Sequence, residues 1–238
     1  MNPNPSIDIV IPLYNEESVI ATSTETLIKF LRESNFPYKY KIVLANNAST
    51  DRSLEICQEL AKKHPNVEAF DVGKKGKGLA IRSSWERSSV DILAFMDADL
   101  SSELSYFKPL IDALIAGSDL AIGNRLGKNS KVFSRNLMRK VASHTYNIII
   151  RILFRTGIDD HQCGFKAIKR EAFLKIKDDL HDDAFFIDTE LIVHVHKKGM
   201  KISEIDIVWR DAEDSKVSIG GTSLELFKAA INLRKKLK

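Results

Sequence analysis

Short apolar runs alternate with longer amphipathic stretches through the first hundred residues, the pattern of an α/β domain built on a mostly parallel sheet. Residues 7–13, 40–46, 67–72 and 91–96 predict four buried strands. Between them, Ile20, Leu27, Ile28 and Leu31 recur at helical spacing. A second helix is predicted over about residues 52–63 with Thr50 or Asp51 as its cap, and a third runs from the glycine-containing loop 73–78 to about Arg87. The second half is less regular. Residues 118–125 predict a strand, 132–155 form a long segment rich in both apolar and basic side chains, and 161–170 read as a strand entering a short helix. A helix over 186–197, a last strand over 201–209 and a basic amphipathic tail over 224–238 complete the pattern. Without repeats or low-complexity linkers, the expected organisation is one domain over 1–216 followed by a basic amphipathic helix over 217–238.

Composition narrows the classes. With 238 residues, 44% of them hydrophobic, the chain can bury a substantial core and is not expected to be disordered. Thirty-six Lys and Arg against 32 Asp and Glu give a net charge of +4, which suits an anionic small molecule or a membrane surface and argues against nucleic acid as a partner. Cys57 and Cys163 form neither a zinc spacing nor a disulfide framework, so a reducing compartment is expected. The opening MNPNPS lacks the features of a signal peptide, and no apolar run reaches the ~18 residues a membrane span needs, so a soluble or peripheral protein is expected.

The fourth strand ends in Asp97-Ala98-Asp99. Alternate residues of an extended chain share a face, so the two carboxylates converge and require a cation or donor between them. Mg²⁺ and Mn²⁺ accept such sites, with substrate phosphates completing the shell. A solvated turn is the alternative reading of the same three residues.

Context decides between them. The segments IVIPLYNEE (9–17), NNASTDRS (46–53), GKGLAIRSS (76–84) and MDADLS (96–101) resemble, in order, the motifs of family 2 glycosyltransferases, enzymes of the GT-A fold, an α/β architecture with a Rossmann-like, mostly parallel sheet. GNR (123–125), DHQCGFKAIKR (160–170), FIDTELI (186–192) and IVW (207–209) are similar to the dolichyl-phosphate and polyprenyl-phosphate hexosyltransferases, the glucosyl type in particular.

The resemblance implies a nucleotide-diphosphate sugar as donor, UDP-glucose before GDP-mannose, a polyprenyl phosphate lipid as acceptor, transfer with inversion, and Mg²⁺ or Mn²⁺ as cofactor. It places Pro12, Tyr14, Glu16, Asn46, Asn47, Lys77 and Asp97 at the nucleotide and donor, with Gly78 and Arg82 as further candidates at the diphosphate or nucleoside. Asp97 and Asp99 hold the metal, and Asp97, Asp99, Asp188 and Arg125 form the catalytic set. Asn46 and Asn47 stand where the family usually has Asp, and Ser101 stands where mannosyl relatives often have glutamine.

A phosphate acceptor carries its own anionic nucleophile, because a phosphate monoester's second pKa is about 6, so a dedicated base is not required. Cations are required instead, and Arg125, Arg139, Ser143, Lys166, Arg210 and Lys216 are the expected phosphate ligands, with Arg139 and Ser143 sharing a helix face at i and i+4. Asp160 and Gln162 are expected near the sugar or the acceptor loop, while His161 is read as a surface histidine without a role. The lipid acceptor and the apolar, basic segments 132–155 and 224–238 imply a peripheral enzyme at the cytoplasmic face of a membrane. Two other readings stay open: a family 2 transferase that extends a glycan with Asp188 or Glu190 as base, and a nucleotide-sugar-binding protein without catalysis. Oligomeric state is not legible.

Overall fold

The structure is a computed structural model and describes residues 4–133, 137–210 and 219–237. Its main sheet has seven strands in the order β3-β2-β1-β4-β7-β5-β8. The first strands are β1 (Ile7–Leu13), β2 (Tyr40–Asn46), β3 (Val67–Asp71) and β4 (Ile92–Met96), joined by α1 (Ile20–Glu33), α2 (Ser53–Lys63) and α3 (Lys77–Glu86). All four are parallel, with Ile9 beside both Ile42 and Ala94. The chain moves outward from β1 to β3 and then returns to the other side of β1 as β4. That reversal opens a crevice beyond the carboxyl ends of β1 and β4, the position where open α/β sheets bind ligands.

After α4 (Phe107–Ile115) come β5 (Leu120–Asn124), β6 (Lys131–Phe133), α5 (Leu137–Phe154), β7 (Phe165–Lys169) and α6 (Arg170–Leu174). Strand β7 runs antiparallel between β4 and β5. The remaining elements are α7 (Ile187–Lys197), β8 (Ile202–Asp206), β9 (Val208–Arg210) and α8 (Ile219–Lys236).

Alternation along the strands supplies a core on each face of the sheet. Ile9 and Ile11 pack with Leu27, Leu44 and Leu110, whereas Val10 packs with Trp85, Phe95, Ile187 and Leu191. A third cluster joins Tyr146, Ile150 and Phe154 of α5 to Val193 of α7 and Leu226, Ala230 and Leu233 of α8, so the basic C-terminal helix is packed onto the domain.

Several elements depart from the sequence reading. Helix α4 was not expected, although Phe107, Leu110, Ile111 and Leu114 are buried at helical spacing. The expected strand over 201–209 is two strands in different sheets: β8 pairs with β5, and β9 pairs with β6. The break falls at buried Ile207, whose N–H reaches the Asn124 carbonyl and whose carbonyl accepts from Lys131. The cap position of α2 is Arg52, one residue later than expected, yet Asp51 satisfies the helix's first N–H. Asp51 accepts from the Ser53 N–H at 3.0 Å and hydroxyl at 2.6 Å, whereas the Thr50 N–H turns to Asn15.

Candidate active site

Three loops meet at the crevice. The loop after β1 turns at Asn15, which adopts the left-handed φ of 56° that asparagine tolerates better than most residues. Its N–H donates to Ser49 Oγ at 2.9 Å, the Thr50 N–H donates to Asn15 Oδ1 at 2.8 Å, and the Glu16 N–H donates to Ser53 Oγ at 2.8 Å. These bonds lock the β1 and β2 loops together and carry Tyr14 half-buried, with the Lys75 ammonium 3.9 Å from its ring centroid. Pro12 lies buried inside β1 opposite Ala45, so it shapes the backbone and offers no side-chain surface.

Asn46 and Asn47 differ from expectation. Both are buried. Asn46 donates to Asp71 Oδ1 at 2.9 Å and accepts from the Ser49 N–H at 3.3 Å, while Asn47 Oδ1 accepts from the Gly76 N–H at 3.3 Å. Their amides tie β2 to β3 and to the start of α3.

The α3 end is also closed in. The N–H groups of Gly78 and Leu79 donate to the carbonyls of Ala184 and Asp183. A Cβ at Gly76 or Gly78 would overlap the carbonyls of Asp183 or Asp182, so only glycine lets the 182–184 loop sit this close. Arg82 donates to the Asp183 carboxylate and the Leu180 carbonyl. Gly78 and Arg82 therefore hold this loop instead of facing a diphosphate. Glu190 does the same work from α7. It is buried, accepts from the N–H groups of His181 and Asp182 at 3.0 and 2.9 Å, and is pushed above its ordinary pKa by desolvation.

At the end of β4 the two aspartates differ in their surroundings. The Asp97 side chain is 41% exposed. Asp99 is exposed, and its Oδ1 accepts from the Ser101 N–H at 3.0 Å. A Cβ at Gly164 would overlap the Asp97 carboxylate, so the absence of a side chain there makes the cradle in which Asp97 rests. Among the described residues no group of three His, Cys, Asp or Glu side chains could hold a metal. Asp97 and Asp99 both open on solvent, and two such carboxylates would suit Mg²⁺ or Mn²⁺ completed by water and phosphate oxygens.

Behind Asp97 runs a row of alternating charges. Lys77 Nζ lies 2.8 Å from Asp97 Oδ1 and 3.0 Å from Asp188 Oδ2. Burial opposes its charge, but the two carboxylates overcome this and hold the ammonium above its ordinary pKa. Asp188 in turn accepts from Lys166 at 2.7 Å. Lys166 was expected at the acceptor phosphate, yet it is fully buried and also donates to the carbonyls of Cys163 at 2.5 Å and His161 at 3.4 Å. It can reach no phosphate in this arrangement and instead anchors Asp188.

Arg125 reaches the site from the end of β5. It forms a two-pronged pair with buried Asp160, Nε to Oδ2 at 2.7 Å and Nη2 to Oδ1 at 3.0 Å, and lies 5.5 Å from the Trp209 ring centroid. Burial works against the Asp160 charge, but Arg125 holds its pKa at about 2. The Gln162 N–H also donates to Asp160 at 3.1 Å, so Asp160 fixes Arg125 and the start of its own loop together. Arg210 is exposed, pairs with Glu103 at 3.0 Å and covers Phe133. Ser143 is half-buried on α5. Lys216 and the side chain of Arg139 lie outside the described residues.

His161 is no surface residue. It is fully buried between Thr156 Oγ1 at 2.9 Å and Asn147 Oδ1 at 3.0 Å, and desolvation lowers its pKa to about 3. Asn147 also donates to the Ser143 carbonyl and so must accept from the imidazole, which makes the ring a neutral Nδ1–H tautomer accepting from Thr156. Sequence reasoning also passed over Gly164, although it stands inside the DHQCGFK segment, and Asp183, for which no local signal exists.

A family model described as Glycosyl transferase family 2 matches residues 8–177. Among curated relatives, glycosyltransferase AglD of Haloferax volcanii is 31% identical over 219 residues, 90% of this chain and 34% of that protein. The dolichyl-phosphate beta-glucosyltransferase of Saccharomyces cerevisiae is 30% identical over 96% of this chain and 74% of its own length, and the dolichol-phosphate mannosyltransferase of Pyrococcus furiosus is 29% identical over 96% and 64%. The chain therefore spans about a third of AglD and about three quarters of the yeast enzyme. Glucosyl-3-phosphoglycerate synthase of Mycobacterium tuberculosis, solved with Mn²⁺, UDP-glucose and phosphoglyceric acid, superposes with a TM-score of 0.74 over 97% of this chain and 80% of that one at 17% identity, a likeness of fold. With its GT-A sheet, its paired aspartates at the end of β4 and a family match over most of its length, the chain belongs to glycosyl transferase family 2.

Proposed function

We propose that the protein transfers glucose from UDP-glucose to a dolichyl or polyprenyl phosphate at a membrane surface, with inversion at the anomeric carbon. The observation that carries this reading is the state of Asp188. Both its oxygens receive lysine ammonium groups, and Glu190 Oε2 accepts two backbone N–H groups of the 181–182 loop. Neither carboxylate is poised to take a proton from a sugar hydroxyl, whereas a phosphate acceptor arrives already anionic. The names of the yeast and Pyrococcus relatives support the lipid phosphate, and the ligands of the mycobacterial structure support UDP-glucose and a divalent cation.

In this reading Asp97 and Asp99 hold Mn²⁺ or Mg²⁺, which supplies Lewis-acid stabilisation of the departing diphosphate. Tyr14 and the β1 loop border the nucleoside. Arg125, fixed by Asp160, holds the acceptor phosphate close to the donor against the repulsion of two anions. An oxygen of that phosphate forms the new bond to the anomeric carbon as the bond to the diphosphate oxygen breaks on the opposite side. Arg139, Ser143, Arg210 and Lys216 are the remaining candidates for the acceptor side.

No helix among the described residues is long and apolar enough to cross a membrane. Helix α5, however, exposes Met138, Val141 and Ile152 on the side away from buried Tyr146, Ile150 and Phe154, with exposed Lys140, His144 and Arg151 along the edge. An apolar stripe bordered by basic side chains suits the interface of an anionic membrane, at the cytoplasmic face on this reading.

The test is incubation of purified protein with radiolabelled UDP-glucose, Mn²⁺ and a short-chain polyprenyl phosphate. Labelled lipid should form, chelation of the cation should stop it, and Asp99→Ala should abolish it in a folded protein. Transfer to free sugars with none to the lipid phosphate would overturn the reading.

A further inference from the structure

The Lys77 ammonium stands beside the carboxylate that the proposed function gives to the divalent cation, and this inference rests on that reading of Asp97. We infer that Lys77 is an exchangeable internal counter-cation, which neutralises Asp97 in the empty site and must be drawn off it before the metal binds well.

Lys77 is 2.8 Å from Asp97 and 3.0 Å from Asp188, and its side chain is only 12% exposed. Asp188 is 4% exposed and carries Lys166 on its other oxygen. Asp97, by contrast, is 41% exposed and can receive a cation from the solvent side. The two ends of the Lys77 bridge are therefore unequal. Leaving Asp188 would strip a buried carboxylate of one of its two counter-charges, whereas leaving Asp97 uncovers a group that an incoming cation can neutralise at once.

A divalent cation arriving alone meets an ammonium already on its ligand and pays the repulsion of a third positive charge. A nucleoside diphosphate removes that obstacle, because its oxygens offer Lys77 a new anionic partner while completing the metal's shell. Cation and nucleotide then bind as a pair, each improving the site for the other by the same factor. Lys166 lets the exchange occur without stranding Asp188, since it remains on that carboxylate throughout. The position of Lys77 at the first turn of α3, with Gly76 and Gly78 packed on the 182–184 loop, fixes the backbone so that only the flexible side chain has to move.

The experiment is a titration of Mn²⁺ into the full chain, followed by the loss of the free Mn²⁺ paramagnetic signal, without nucleotide and with saturating UDP. Wild type should bind Mn²⁺ weakly alone and much more tightly with UDP. Lys77→Met should bind Mn²⁺ alone about tenfold more tightly than wild type, and the gain from adding UDP should shrink. Adding Asp97→Asn to Lys77→Met should erase the improvement. Lys77→Gln provides a second variant if methionine perturbs folding, with circular dichroism as the check on each. Unchanged or weaker Mn²⁺ binding by folded Lys77→Met and Lys77→Gln would overturn the inference. Failure of wild type to bind Mn²⁺ even with UDP present would instead overturn the underlying reading of Asp97.

Discussion

Replacing Asp160 with asparagine tests whether a buried ion pair holds Arg125 in place. Asp160 is fully buried, and its two oxygens accept the Arg125 Nε and Nη2 groups at 2.7 and 3.0 Å as well as the Arg125 N–H at 3.1 Å. Its pKa falls from 3.8 to about 2 because Arg125 outweighs the cost of burial. At about 1.4 kcal/mol per pH unit the drop corresponds to stabilisation on the order of 2 to 3 kcal/mol. The folded value lies below the unfolded one, so this contribution is complete above about pH 5, about half present at pH 3, and lost as pH falls through about 2. Asparagine keeps one acceptor but no charge, and it leaves a mostly buried guanidinium without its counter-ion, so the expected cost at pH 7 is about 2 to 4 kcal/mol. Urea unfolding of wild type and Asp160→Asn at pH 7, 5, 4 and 3 measures it, and the gap should narrow to about half at the lowest pH. A gap that stays constant from pH 7 to 3, or a variant as stable as wild type at neutral pH, would refute the reasoning.

Two further outcomes follow from named contacts. Gly164→Ala places a Cβ where the Asp97 carboxylate lies, so turnover should fall about a hundredfold through misplacement while stability drops by about 1 to 3 kcal/mol; wild-type turnover in that variant would show that Asp97 has no fixed position. Met138→Glu with Ile152→Glu changes side chains that are both 72% exposed, so melting should hardly move, whereas co-sedimentation with anionic lipid vesicles should weaken about tenfold or more, and undiminished sedimentation would remove α5 from the membrane contact.

How much of the chain could be read in advance depended on whether each signal was local. Strands β1, β2 and β4 are apolar runs buried on both faces, and such runs are legible because a central parallel strand has no polar side to present. Helix α4 has the same kind of signal in Phe107, Leu110, Ile111 and Leu114, and Pro109 inside its first turn obscures it without preventing it, since the first N–H groups of a helix need no partner. The division of 201–209 into β8 and β9 had no such mark, because whether an extended residue joins one sheet or another is decided by distant strands. His161 illustrates the same limit: nothing beside it in sequence announces burial, which comes from Asn147 of α5 and Thr156 folding over it.

The alternation of strands and helices from β1 to β4, the family and the aspartates at the end of β4 were written in the linear pattern, because periodicity and motif spacing are properties of neighbouring residues. The wiring of the charges was not. Lys77 and Asp188 are separated by 111 residues, Arg125 and Asp160 by 35, and Lys166 shifts from presumed phosphate ligand to buried anchor only when β7 is seen to carry its ammonium onto Asp188. Which carboxylate neutralises which cation depends on distance and on exclusion from water, and both are set only once the sheet and its loops have closed around the site.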